Sequence, residues 1–126
     1  MKSIQQIKSM KSKQKIAMLT AYDFPTAKLM DGIVDIILVG DSLGMVILGY
    51  ENTTQVTMDD MIRATGAVAR GAKNTLIVGD MPIGTYDNKE SALKNAKLFL
   101  KAGAHAAKIE RKPEVAEFLV KNGIEV

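Results

Sequence analysis

The chain has 126 residues, of which 47% are hydrophobic and 25% charged, with a net charge of +3 and no cysteine. That length supports one domain with its own core; the composition excludes disulfides and thiolate metal sites, and no apolar run reaches the roughly 18 residues of a membrane span. Aromatic residues are only 5%, too few for a nucleic-acid surface built from basic and stacking side chains.

The basic excess comes first along the chain. Lys2, Lys8, Lys11, Lys13 and Lys15 precede the first acid, Asp23, and the remainder carries 12 basic against 14 acidic residues. Ile4 to Met10 predict an N-terminal helix whose lysines read as solvated surface. The segment has neither arginine nor a cleavage site, so no targeting role is expected, and a cytoplasmic location fits the absence of cysteine.

A strand "IAMLTAY" and a short helix "DFPTAKLMDG" follow, with Asp23 placed to cap that helix. From here a phrase repeats: a helix end, a glycine, an apolar strand and then a carboxylate. Gly32 stands nine residues before Asp41, Gly71 nine before Asp80, and Gly103 opens "GAHAAKIE", which ends at Glu110. The glycines suit the left-handed position that closes a helix. "IILVG" and "TLIVG" are continuously apolar, as in strands covered on both faces. Between the strands lie amphipathic helices. "TMDDMIRATGAVAR" opens on a Thr57/Asp60 capping box. It is followed by "NKESALKNAKLFLKAG", and by "KPEVAEFLVKNG" with Pro113 in its first turn. The eight methionines read as core filler.

Alternating strands and helices predict parallel βαβ units. Four such units plus the first residues of a fifth strand make half of a (β/α)₈ barrel, with a small open α/β sheet as the competing architecture. The whole chain, 1–126, reads as one domain. In either fold the acids at the strand ends, Asp41, Asp80 and Glu110, gather on one face, where they require a cation, a proton or a lysine. Lys108 precedes Glu110 by two residues and leaves the same face of its strand.

"GDSLG" at Gly40–Gly44 also fits the G-x-S-x-G nucleophile elbow. An elbow requires a helix directly after the serine, whereas no amphipathic helix is expected here before Thr57. It also requires a histidine base, and the single histidine, His105, stands at the entrance of its strand, the wrong end for Ser42. His105 therefore reads as structural or exposed, and Asp41, rather than Ser42 as a nucleophile, is the better candidate functional residue.

"TAYD", "LVGDSLGM", "VTMDDM", "RGA", "VGDMP" and "AAKIE" occur in this order at Thr20, Leu38, Val56, Arg70, Val78 and Ala106. In order and spacing they resemble the N-terminal half of the ketopantoate hydroxymethyltransferase family. The resemblance implies an α/β fold of the (β/α)₈ TIM-barrel type. The implied reaction moves a hydroxymethyl group from 5,10-methylenetetrahydrofolate to the keto acid 3-methyl-2-oxobutanoate, in pantothenate biosynthesis, through a Mg²⁺-stabilised enolate. It assigns Asp41 and Asp80 to Mg²⁺, with Glu110 as a third metal-site carboxylate. It assigns Asp41, Ser42, Asp80 and Lys108 to the keto acid. It also implies a homo-oligomer acting on a small-molecule keto acid and folate, with no nucleic-acid or membrane partner. The family's general base is a glutamate of the second half of the barrel, so no residue here is assigned as the base. The alternatives are a non-catalytic half barrel that keeps the metal and keto-acid site, and another Mg²⁺-dependent keto-acid barrel related to phosphoenolpyruvate mutase or isocitrate lyase.

Overall fold

A computed structural model describes residues 1–126. The elements in chain order are α1 (Ile4–Ser9), β1 (Met18–Thr20), α2 (Phe24–Met30), β2 (Ile36–Val39), α3 (Leu43–Val46), a 3₁₀ turn (Thr53–Gln55), α4 (Met58–Gly71), β3 (Leu76–Asp80), α5 (Lys89–Ala102), β4 (Ala106–Lys108) and α6 (Pro113–Lys121). The four strands form one parallel sheet in the order β1-β2-β3-β4. Parallel neighbours in sequence order require right-handed crossovers, which place the connecting helices on one face. There α2 packs on α4, α4 on α5 and α5 on α6. This is the half-barrel arrangement of an α/β chain.

The core lies between the sheet and these helices. Ile37 and Val39 of β2 and Ile77 of β3 meet Met61 and Val68 of α4 and Phe99 of α5, all buried. Gly79 in β3 leaves room for the Phe99 ring, since a Cβ there would lie 2.3 Å from Phe99 Cδ1. The capping box of Thr57 and Asp60 forms as the sequence predicts, and Asp23 caps α2 by accepting from the Thr26 N–H.

Three expectations are corrected. First, β3 is covered on both faces, with Val78 alone half-buried, but β1 and β2 are not. β1 is exposed throughout, and in β2 Ile36 and Leu38 are half-buried while Ile37 and Val39 are buried. Only α1 lies against the other face of the sheet, where Ile4 and Ile7 join Met18, Leu38 and Val78 along an apolar trough. Two ion pairs tie this N-terminal segment down, Lys2 with Asp35 and Lys8 with Glu125. Second, the closing glycines do different jobs. Gly32 (φ +77°) and Gly103 (φ +108°) take left-handed conformations. Gly71 remains helical and is required instead by close packing, because a Cβ there would sit 2.5 Å from the Phe24 carbonyl oxygen. Third, a helix does follow Ser42: α3 is a single turn, with Val46 N–H bonded to the Ser42 carbonyl at 3.0 Å. One turn is too short to show a helical hydrophobic period. The terminal Ile124–Val126 forms no assigned strand, but Ala107 N–H of β4 donates to the Glu125 carbonyl at 2.9 Å.

Candidate active site

Asp80 ends β3 and Lys108 ends β4, and the strand register sets them side by side. Asp80 is only 4% exposed. Its Oδ1 accepts from Lys108 Nζ at 2.9 Å, and its Oδ2 from the backbone N–H of Asp41 at 3.3 Å. Asp41 belongs to the turn that leaves β2, so its backbone meets the Asp80 carboxylate at the C-terminal ends of neighbouring strands. Lys108 Nζ also reaches Glu110 Oε1 at 2.6 Å. Glu110 itself is largely exposed, its side chain 61% accessible. Ser42 sits beside Asp41, and its Oγ lies 2.8 Å from the phenolic oxygen of Tyr22, at the end of β1.

The electrostatics follow from burial and these contacts. Burial pushes the Asp80 carboxyl above its usual range; the Lys108 ammonium and the Asp41 N–H pull it back in part, while the Asp41 charge adds to the upward push. Burial also works against the Lys108 charge, but hydrogen bonds to Glu110 and Asp80 outweigh it and raise the lysine above its ordinary value. Glu110 is lowered by its hydrogen bond to Lys108. The result is a protonated lysine between two carboxylates, one buried and one open to solvent.

The sequence of this scaffold is similar to known proteins along its whole length. The sequence model described as ketopantoate hydroxymethyltransferase matches residues 1–126. The chain belongs to this family. The 3-methyl-2-oxobutanoate hydroxymethyltransferase of Ignicoccus hospitalis is 54% identical over 125 residues, covering 95% of this chain and 48% of that protein. The one from Thermotoga maritima is 50% identical over 129 residues, covering 98% and 48%. The chain thus spans about half the length of the curated relatives it matches. Solved structures share the fold at low identity. One is 2,3-dimethylmalate lyase, a member of the PEP mutase/isocitrate lyase superfamily, with a TM-score of 0.67, 12% identity, and 93% of this chain and 45% of that one covered. Another is oxaloacetate acetylhydrolase bound to 3,3-difluorooxalacetate, with a TM-score of 0.67, 13% identity and 93% and 48% covered.

Set against the family assignment, the structure brings Asp41, Ser42, Asp80 and Lys108 together at one end of the sheet. It does not gather Glu110 with Asp41 and Asp80: no three acidic or histidine side chains come together as a cation-holding group. The Lys108 ammonium lies between Asp80 and Glu110 and binds both. Asp41 and Asp80 by themselves fit a hard divalent cation. Both supply carboxylate oxygens at the same end of the sheet, and the Asp80 carboxyl is raised by burial and by the Asp41 charge, an unfavourable state that positive charge relieves. Asp23 is occupied as a helix cap. His105 lies at the opposite end of the strands, where its Nδ1 accepts the Ile77 N–H at 2.9 Å. Although a helix turn follows Ser42, the histidine base of the hydrolase pattern is therefore absent from its surroundings. No helix is long and apolar enough to cross a membrane. Tyr22 lies within the "TAYD" motif, yet sequence pattern alone gives it no place in the site. The motif itself was the available signal, since it ends the strand next to the one carrying Asp41.

Proposed function

We infer that this chain carries the metal- and keto-acid-binding half of a 3-methyl-2-oxobutanoate hydroxymethyltransferase site. The observation that carries the reading is the buried Asp80, held between the Asp41 N–H and Lys108 at the ends of neighbouring parallel strands. In the proposed reaction 5,10-methylenetetrahydrofolate supplies the methylene carbon and water the hydroxyl oxygen. The acceptor is the carbon next to the keto group of 3-methyl-2-oxobutanoate, which must first lose a proton, and the products are ketopantoate and tetrahydrofolate, whose nitrogens take up the proton balance as the methylene carbon leaves.

Mg²⁺ or a similar divalent cation, for which Asp41 and Asp80 are the fitting residues, would act as a Lewis acid toward the oxygens of the keto acid. The chain's own groups bind and orient. Lys108, kept protonated by its two carboxylate neighbours, presents fixed positive charge where negative charge develops on the keto acid. Glu110 holds that ammonium from the solvent side. The Ser42 hydroxyl donates to the keto acid's oxygens. None of these groups is suited to remove the C–H proton: Lys108 has no free pair, and Glu110 is made less basic by it. The base and much of the folate pocket are proposed to come from the part of the relatives that this chain does not match. That part would also cover the exposed β1 and the apolar trough. The exposed Leu29 and Ile33 at the far end of α2 support a homo-oligomer in the assembled enzyme.

The test is reconstitution. The 126-residue chain should bind Mg²⁺ and the keto acid and show little or no transfer, and supplying the C-terminal half of a relative should raise turnover. A positioned base is worth about 10²–10⁴-fold. Full turnover by the chain alone, or no keto-acid binding in the presence of Mg²⁺, overturns the reading.

A further inference from the structure

We propose that Tyr22 is a positioning residue for keto-acid binding: its phenol donates to Ser42 Oγ and thereby turns the serine proton toward the ligand. The inference rests on the reading of Ser42 as a keto-acid-binding residue and adds a device that fixes its direction.

Ser42 occupies the residue before α3, a place where a serine hydroxyl ordinarily caps the helix. Here it makes no capping bond, and its backbone is already in the helical region. The hydroxyl is left to find another partner, and it finds one side chain, Tyr22, at 2.8 Å. A free serine hydroxyl rotates to suit its surroundings, and either oxygen of such a pair has the capacity to donate. A phenol is a far stronger acid than an aliphatic alcohol. It is therefore the better donor, and Ser42 Oγ is the acceptor. The serine's own proton is then the one group of the pair without a partner. Its donor strength is increased by the bond its oxygen receives. Ser42 directly follows Asp41, whose N–H the Asp80 carboxylate accepts, so an anionic oxygen bound beside these acids meets a directed donor.

The rest of the local structure holds this pair rigid. Tyr22 lies between two fixed points. On one side the Ala21 N–H bonds to the Leu38 carbonyl at 3.2 Å, and on the other Asp23 caps α2. Ser42 is fixed by the turn of α3, in which the Leu43 N–H bonds to the Gly40 carbonyl at 3.1 Å. Gly40 gives the hydroxyl its room, since a Cβ at that position would lie 2.9 Å from Ser42 Oγ. Both hydroxyl carriers are half-buried, which limits competition from water. The Tyr22 ring also lines a small hollow with Leu43, Ile47 and Ala64, so removing the oxygen leaves the ring its packing.

The test is a double-mutant cycle on affinity for 3-methyl-2-oxobutanoate in the presence of Mg²⁺, read by calorimetry on the 126-residue chain. Tyr22→Phe should weaken keto-acid binding about threefold to tenfold, the range of one neutral hydrogen bond, and leave Mg²⁺ affinity alone unchanged. In a Ser42→Ala background the same change should have no further effect, a non-additivity that a merely structural role would not produce. Replacing the three tyrosines by fluorotyrosine keeps ring and oxygen and makes the phenol a stronger donor. This should tighten keto-acid binding in the parent chain and not in Ser42→Ala, so the proposal stays testable even if Tyr22→Phe melts early. Unchanged affinity in Tyr22→Phe, or losses that simply add, overturns this inference alone. A parent chain that does not bind the keto acid overturns the proposed function, and this inference with it.

Discussion

The two ends of the sheet both carry buried or half-buried carboxylates, and the chain treats them in opposite ways. At the N-terminal end Asp31 receives three hydrogen bonds, from the Asn74 N–H at 2.7 Å, the Asn74 amide at 3.0 Å and the Thr75 hydroxyl at 3.1 Å. Burial works against its charge, but these donors, led by the Asn74 N–H, outweigh that and lower its pKa. Asp35, at the same end, is lowered by its hydrogen bond to Lys2 and by the Ala17 N–H. At the C-terminal end Asp80 is more buried and less well supplied, and its pKa is raised. Carboxylates that tie loops together are stabilised as anions. Asp80, the carboxylate proposed to receive the cation, is instead held in a state that positive charge would improve, a cost of the kind seen at functional sites.

The largest effect expected from breaking this contrast is on metal binding. Asp41→Asn and Asp80→Asn keep size and remove charge, and each should weaken Mg²⁺ or Mn²⁺ affinity by more than the roughly 10–100-fold typical of outer-shell partners. Calorimetry showing unchanged affinity in both would sink the assignment. The same Asp80→Asn chain should melt no lower than its parent. Removing one member of a buried pair normally strands the other, but Lys108 is 36% exposed and keeps Glu110. At the other end the effects should exchange places. Asp31→Ala leaves the Asn74 N–H and the Thr75 hydroxyl without their acceptor and should cost about 1–2 kcal/mol of folding stability, with Mg²⁺ affinity unaltered. A melt of Asp31→Ala equal to the parent's would remove the distinction between the two ends.

A smaller effect sharpens the comparison through pH. Asp31, Asp35 and Asp60 have folded values below the ordinary 3.8, Asp60 chiefly through its bond from Thr57. Each contributes stability that is present above 3.8 and lost as pH falls through the folded value. Asp80 has the opposite sign. Between 3.8 and its raised value the folded state binds more protons than the unfolded, so its share of stability rises as pH falls across that window. The stability difference between Asp80→Asn and the parent should therefore be greatest at neutral pH and shrink as pH approaches 3.8. Denaturant unfolding that finds a constant or growing difference contradicts the raised value.

The sequence made the strands, the principal helices and the residues at the strand ends legible because each rests on local pattern. Period, caps and the glycine-to-carboxylate spacing place Asp41, Asp80 and Lys108 before any contact is known. What remained hidden depends on neighbours far along the chain. Gly71 reads like Gly32 and Gly103, and only the approach of the Phe24 carbonyl distinguishes it. The half-burial of Ile36 and Leu38 is invisible in a run that is apolar at every position, since it depends on what covers each face. Lys108 and Glu110 share a face by strand alternation, yet the position of the ammonium between Glu110 and Asp80 depends on the pairing of β3 with β4. Tyr22 meets Ser42 only because β1 and β2 are neighbours.

His105 offers the smallest and cleanest test at the structural end. Its backbone N–H donates to the Ile77 carbonyl and its ring Nδ1 accepts the Ile77 N–H, both at the start of β3 and β4. Accepting that bond requires an unprotonated Nδ1, and burial lowers the ring's pKa below the ordinary 6.5. Because the unfolded chain protonates first, stability is complete above 6.5 and declines as pH falls from 6.5 through the folded value. Protonation of Nδ1 also removes the acceptor for Ile77. Asparagine places its Oδ1 where Nδ1 stood and does not titrate. His105→Asn should cost no more than about 1 kcal/mol at neutral pH and should abolish the decline. Unfolding curves in which the variant keeps the parent's slope below 6.5 would assign that slope to another group and return His105 to the exposed surface.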